Sequence, residues 1–424
     1  MMVALLLISF TVFLVLGIPI AFAMGLSGVL ALVLASDIPL LVLPQRMFAS
    51  LDSFTLLAVP LFVLAGELMG VGGITARIVS FSRACVGHLK GGLAQASVVS
   101  NMFMSALSGS AVADLVAVGS IMLPAMNKEG YRKDYSVAVM SCAALLGPIL
   151  PPSIVAVIYG SLTGVSIGKL FIAGIIPGII AGVGIMVLAR LLADKAGAVP
   201  QPKAPIAEVR RTGIQAAPAL MVPVIILGGI LGGVFTPTEA GAIAAFYALI
   251  YGIVRRNLSM GASYELLQTS ALTAASALIT LGGASIFSYV LISGGFAQAT
   301  LDLLLSLTDD PGMAMFLMMV GLFILGIPIE PVPALIMVVP VIMPAVQHFG
   351  LDPIQFGMAA IMMLVLGSLT PPIGVLAMIA SRMANLEYGK SIRMLVPFMV
   401  WWLIVTFMVA YIPALSLWLP SLME

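Results

Sequence analysis

Charge is what this sequence lacks most. Only 8% of its 424 residues are Asp, Glu, Lys or Arg, against about 25% in a soluble globular chain. The formal net charge of +1 leaves no basic surface for a nucleic-acid partner. Cys85 and Cys142 stand alone in apolar surroundings, so neither a disulfide framework nor a zinc site is readable. His88 and His348 are equally isolated. No P-loop, H-E-x-x-H or G-x-S-x-G phrase occurs, so no nucleotide motor, zinc hydrolase or serine hydrolase is readable. The chain therefore reads as a non-enzyme without a transition metal. Residues 1–16 carry no basic segment before their apolar run and no A-x-A site. They read as a retained first span rather than a cleaved signal.

What is present is apolar. Sixty-two per cent of residues are hydrophobic, and runs such as 171–192 and 395–419 meet the roughly 20 residues that cross a bilayer. Strand alternation of the barrel kind is absent, and backbone groups in lipid are otherwise satisfied only by helices. The expectation is an all-α polytopic membrane protein in contact with lipid. Its 28 methionines read as lipid-facing and core filler rather than metal ligands.

The chain also repeats itself at an offset of 220 residues. Pro124, Gly130, Gly147, Pro151, Pro152 and Pro177 find identical residues at Pro344, Gly350, Gly367, Pro371, Pro372 and Pro397. With 27 prolines in 424 residues, a chance match at each proline has a probability of about 0.06. The repeated phrases are Leu146-Gly-Pro-Ile-Leu-Pro-Pro-Ser153 and Leu366-Gly-Ser-Leu-Thr-Pro-Pro-Ile373. Paired hydrophobic segments broken by Gly and Pro point to the binding site of a secondary transporter.

Loop charges orient the two copies. Lys90 precedes the stretch 91–126, and Lys128, Arg132 and Lys133 follow it, so both ends face the cytoplasm. Its centre, residues 105–114, is small and polar, and each arm of about 15 residues is short of a span. This reads as a re-entrant hairpin. The counterpart 313–346 has Asp309 and Asp310 before it and Gln347, His348 and Asp352 after it, with breakers at 326–333. Its ends read as periplasmic, so the repeats are inverted. The polar linker 194–215 and the pair Arg255 and Arg256 fall inside, as do Lys390 and Arg393; Arg46 and Lys169 fall outside, against the rule.

The Gly-x-x-x-Pro-Pro phrases carry the chemistry. A Pro-Pro pair removes two amide donors and frees carbonyls upstream. Such carbonyls, joined by Thr370 and by the tips Ser105, Ser108 and Gly109 or Gly326, make an oxygen cage for Na⁺; otherwise they only kink a helix. Charges at depth are functional candidates. Glu330 either meets a cation or substrate or snorkels outward. Asp114 either caps a helix or pairs with a cation, and Ser153 bonds either substrate or its own helix. Glu67 either packs beside a basic partner or has a functional role. Glu239, after Thr236-Pro-Thr238, reads as a helix cap.

With Phe235-Thr-Pro-Thr-Glu-Ala-Gly241, the two Pro-Pro phrases and the Ser-rich first hairpin, the whole chain resembles the large membrane (M, DctM-like) subunit of tripartite ATP-independent periplasmic (TRAP) transporters. The resemblance implies an elevator-type, Na⁺-coupled importer of the ion-transporter superfamily in the bacterial inner membrane. It implies two or more Na⁺ ions, a separate small four-helix Q subunit because no Q segment is fused here, and a soluble periplasmic binding protein delivering an organic acid such as a carboxylate or sialic-acid-like molecule. One Na⁺ would lie near Ser105, Ser108, Gly147, Leu150 and Pro152, and a second near Gly326, Gly367, Thr370 and Ile373. Substrate would contact Ser108, Ser110 and Ser153, with Glu330 close by; the family often has Asp near that tip. The alternatives are a free-standing Na⁺- or H⁺-coupled carboxylate carrier and, beyond it, a channel.

The implied division runs as follows: scaffold helices over 1–72 and an arm over 73–90; a first repeat over 91–193, with hairpin 91–127 and broken helix 134–160; the linker 194–215; scaffold helices over 216–292 and an arm over 293–310. A second repeat over 311–390, with hairpin 311–348 and broken helix 353–388, precedes a C-terminal helix over 391–424.

Overall fold

The computed structural model describes residues 1–71, 73–198, 200–255 and 260–423, so Arg256 lies outside the described residues. Among the described residues every regular element is a helix, as the all-α expectation requires. Seven helices are long and apolar enough to cross a membrane, or eight if one bent pair counts as a span.

One group of helices packs together, the set expected as scaffold. It comprises α1 (Met2–Val15), α2 (Ile20–Ala35), α3 (Val42–Leu51) and α4 (Ala58–Val71), with a 60° bend between α3 and α4. Later in the chain, α12 (Ile206–Leu231), α13 (Pro237–Val254) and the 34-residue α14 (Met260–Ser293) join them. Between these stretches lie α5 (Ile74–Val86), α6 (Gly92–Ser108), α7 (Ala111–Lys128), α8 (Lys133–Ala144), α9 (Ile154–Thr163), α10 (Ile167–Ala173) and α11 (Ile175–Leu192). After them come α15 (Phe296–Leu307), α16 (Pro311–Gly326), α17 (Pro331–His348), α18 (Pro353–Gly367), α19 (Val375–Met383), α20 (Tyr388–Tyr411) and α21 (Ala414–Ser421).

Local chemistry sets the key boundaries. Gly109, at φ +63°, turns α6 into α7, and Ser110 caps α7 through the Ala113 amide at 3.5 Å. Pro331 cannot continue the amide ladder of α16 but fits the first turn of α17. The Pro151-Pro152 and Pro371-Pro372 pairs, both cis, lie between α8 and α9 and between α18 and α19. Thr236 and Glu239 form a capping box at the start of α13, so Glu239 acts as the cap its spacing predicts. α7 and α17 have 18 residues each, enough by length alone to cross a bilayer, so arm length does not by itself mark them as re-entrant.

Four tyrosines fix how the ends lie. Tyr131 accepts from the Leu93 amide at 3.3 Å, bringing both ends of the α6–α7 hairpin together. Tyr135 donates to Ala189 at 2.7 Å at the same end of the molecule. At the far end of the broken helix, Tyr159 donates to Pro353 at 2.6 Å, and Tyr411 donates to Gly312 at 2.9 Å. The bases of the two hairpins therefore lie at opposite ends of the α8–α9 pair.

Two boundaries differ from composition. α12 starts at Ile206, so the polar linker 194–215 is helical from residue 206 onward, nearly half its length: only the residues after Pro205 need an amide ladder, and Glu208 suits its first turn. The C-terminal apolar run breaks at Ile412 and Pro413, and α21 packs back onto α10 and α11.

Candidate functional site

The tip of the first hairpin closes on the first Pro-Pro break. Asp114, on the first turns of α7, is fully buried, and among the described residues no cation pairs with it. Ser108 Oγ donates to its Oδ1 at 2.6 Å, and Ser105 Oγ lies 3.0 Å from its Oδ2. The side chain therefore does not cap α7; Ser110 does that. Gly147 sits directly against this carboxylate: a Cβ there would lie 2.8 Å from Asp114 Oδ2 and 2.8 Å from the Ser110 carbonyl carbon. Among the described residues no backbone amide reaches the carbonyls of Gly147, Leu150 or Pro152. A buried anion, two hydroxyls and unpaired carbonyls are hard oxygen donors suited to an alkali cation.

The second tip meets the second break by the same kind of contact. A Cβ on Gly367 would lie 2.3 Å from the carbonyl carbon of Gly326, so only glycine permits the approach. The Gly326 carbonyl accepts no backbone amide among the described residues, whereas the Gly367 carbonyl accepts the Thr370 amide at 2.9 Å. Thr370 Oγ1 donates to Leu366 at 2.9 Å and keeps its lone pairs free. Ile373 is 37% exposed at the edge of this break. All the oxygens here are neutral, unlike those around Asp114.

Between the two tips and the scaffold lies a cavity of about 320 Å³. Ser110 and Glu330 reach it from the two hairpins, and Pro148 and Ser368 from the two breaks. The scaffold supplies Val59 and Val63 of α4 and the hydroxyls Thr273, Ser276 and Thr280 of α14. Those three hydroxyls recur at helical spacing, which places them on one face; the sequence carried that signal unread. The first residues of α7, α9, α17 and α19 all line the cavity. Four helix N-termini, each with the positive end of its dipole, thus converge on one space.

Two of the four expected substrate residues lie behind this wall. Ser108 is held by Asp114. Ser153 donates to Pro148 O and accepts from the Ala156 amide at 3.1 Å, the local bonding that was its alternative reading. Glu330 precedes α17, but its side chain caps nothing and it is exposed to the cavity. Glu67 of α4 is half-buried, with no basic partner among the described residues.

A family model described as "Tripartite ATP-independent periplasmic transporter, DctM component" matches residues 7–415. A protein of Oleidesulfovibrio alaskensis named isethionate TRAP transporter permease protein DctMQ is 36% identical over 417 residues, 96% of this chain and 65% of that one. The sialic acid TRAP transporter large permease protein SiaM of Vibrio cholerae is 35% identical over 407 residues, 96% of this chain and 95% of that one. The chain thus spans about two thirds of the first relative and nearly all of the second. The solved YdaH transporter of Alcanivorax borkumensis has a TM-score of 0.60 at 18% identity, covering 90% of this chain and 91% of that one, a likeness of fold.

Proposed function

The chain belongs to the DctM component family of tripartite ATP-independent periplasmic (TRAP) transporters, and we propose that it moves an organic anion into the cytoplasm with Na⁺ as coupling ion. Members of this family are multi-pass transport proteins of the bacterial inner membrane, not enzymes. The observation that carries the anion reading is the convergence of four helix N-termini on the cavity between the hairpin tips. A carboxylate or sulfonate placed there gains from every one of those dipoles. Ser110 donates a hydroxyl to it. Glu330 would repel the anionic group itself and takes the cargo's hydroxyl or amide donors instead, which orients the molecule.

Asp114 supports Na⁺ as the partner ion. An unpaired buried carboxylate costs several kcal/mol, and a cation between Asp114, Ser105, Ser108 and the carbonyls of Gly147, Leu150 and Pro152 removes that cost. A second ion fits the neutral oxygens of Gly326, Gly367, Thr370 and Ile373. Coupling follows from shared walls: Ser110 and Pro148 border both the first ion site and the cavity, and Ser368, next to Gly367, does so for the second. Ions that fix tips and breaks favour the substrate-binding shape, and only such differential affinity can link the two fluxes.

The cargo reaches the chain from a soluble periplasmic binding protein, and a separate small Q subunit joins the scaffold. The relatives named for isethionate and sialic acid suggest a small acid carrying hydroxyl groups. The two hairpins and two broken helices slide together against the scaffold as an elevator. Reconstitution with the cognate Q and binding proteins tests this reading. Uptake from a panel of organic acids needs both partners and an inward Na⁺ gradient; uptake at the same rate under K⁺ alone, or by the isolated chain, would sink it.

A further inference from the structure

A second, larger chamber of about 490 Å³ lies along three helices that already border the cavity between the tips. The first cavity takes the first turns of α9 and α17, at Ile154 and Val332, and the middle of α14, at Ser276. The chamber takes their later turns, at Ser161, Ser285 and Pro340. At 1.5 Å per residue, Ser276 and Ser285 are about 13 Å apart along α14. The two spaces are therefore consecutive on one wall. The chamber lies toward the end of α14 away from Arg255, the outer side on the loop-charge reading.

Its one cation is unusually free. The Arg46 guanidinium stacks 4.6 Å from the centroid of the Tyr289 ring, and among the described residues no carboxylate pairs with it. Asp52, the nearest acid in the chain, does not line the chamber. The hydroxyls divide into two kinds. Ser285 and Ser288 donate inward, to Gly282 at 2.7 Å and Ile336 at 3.0 Å. Ser53, Ser161 and Tyr289 line the space, and the structure gives their hydroxyls no acceptor among the described residues. A fixed guanidinium with three uncommitted hydroxyl donors recognises an oxyanion. Arg46 thus stands on the outer side, against the charge rule, where an aromatic face and an anion together explain it.

We propose that this chamber is a receiving site for the cargo: it holds the carboxylate or sulfonate of a small organic anion on the outer side before the anion reaches the cavity between the tips. The proposal rests on the organic-anion reading above, and it adds a station that the ion sites do not require. Binding here is weaker than in the cavity, because one exposed guanidinium replaces four helix termini and water competes for it.

Charge-selective labelling tests it without transport. Ser161→Cys, and Ser53→Cys as a second position, are placed in a Cys85→Ser/Cys142→Ser background. Each is treated with sulfonatoethyl and trimethylammonioethyl methanethiosulfonate, with rates taken relative to a free thiol. The anionic reagent is favoured while Arg46 is present; Arg46→Gln lowers the anion-to-cation rate ratio about five- to tenfold, and Arg46→Lys retains it. At least one of succinate, isethionate and sialic acid slows labelling severalfold with Arg46 and not with Arg46→Gln. An unchanged ratio in Arg46→Gln, no reaction at either cysteine, or slowing by none of the three acids would overturn the proposal. No step uses a Na⁺ gradient, so this failure is separable from failure of the functional reading, which gradient-driven uptake decides.

Discussion

Single atoms decide how closely each hairpin tip approaches its break. Gly147→Ala puts a methyl group against Asp114, and Gly367→Ala puts one into the backbone of Gly326. Each lowers stability by about 1–3 kcal/mol, the range for overpacking, and is read as a lower apparent melting temperature in detergent. Gly321→Ala, on an exposed helical face with nothing within 4 Å, is the control; it is neutral or gains up to about 1 kcal/mol. Glu330 is the residue for cargo. Glu330→Gln keeps its volume and weakens its acceptor, so the KM for uptake rises while the Na⁺ concentration for half-maximal rate stays put. A shift in Na⁺ dependence with unchanged KM would instead assign Glu330 to an ion site. Thr370→Ala is expected to do the reverse, raising the Na⁺ requirement before the KM.

At the scale of elements, the sequence announced the breaks and the turns because proline and glycine act locally. Pro151-Pro152 and Pro371-Pro372 remove amides wherever they stand, and Gly109 takes a left-handed turn that few other residues accept. Asp114 was less legible. Its place in the first turns of α7 suggested a cap, whereas its partners Ser105 and Ser108 reach it from the opposite arm of the hairpin. The hydroxyl stripe of α14 was visible as spacing, but nothing in a 34-residue apolar helix says which face meets a cavity. Composition also did not show that the chain turns back after Tyr411, since an apolar run satisfies lipid and protein equally. Arg46 looked like an exception until the ring of Tyr289, far along the chain, came beneath it.

For the whole molecule, the elevator proposal requires that scaffold and hairpins touch without being fixed to each other. One direct bond crosses from α14 to α17, from Ser288 Oγ to the Ile336 carbonyl at 3.0 Å. A sliding core must break it. A Ser288→Cys/Ile336→Cys pair, oxidised in reconstituted vesicles, is therefore expected to stop uptake by at least tenfold and to recover with a reducing agent. Full uptake with the pair oxidised would leave the core static and exclude the slide. The two hairpins enter from opposite ends of the α8–α9 pair, which suits a core that closes from either side in turn.

If the buried Asp114 carboxylate seats the coupling ion, Na⁺ must stabilise the folded chain through it. A ligand that binds only the folded chain stabilises it by about 2.7 kcal/mol at one hundred times its Kd. Purified chain is heated in detergent across a range of NaCl, with KCl holding the ionic strength constant. Na⁺ is expected to raise the apparent melting temperature of the wild-type chain above the K⁺ baseline, and Asp114→Asn to lose most of this rise while remaining folded. An equal rise in Asp114→Asn, or an equal effect of K⁺ on the wild type, would contradict it.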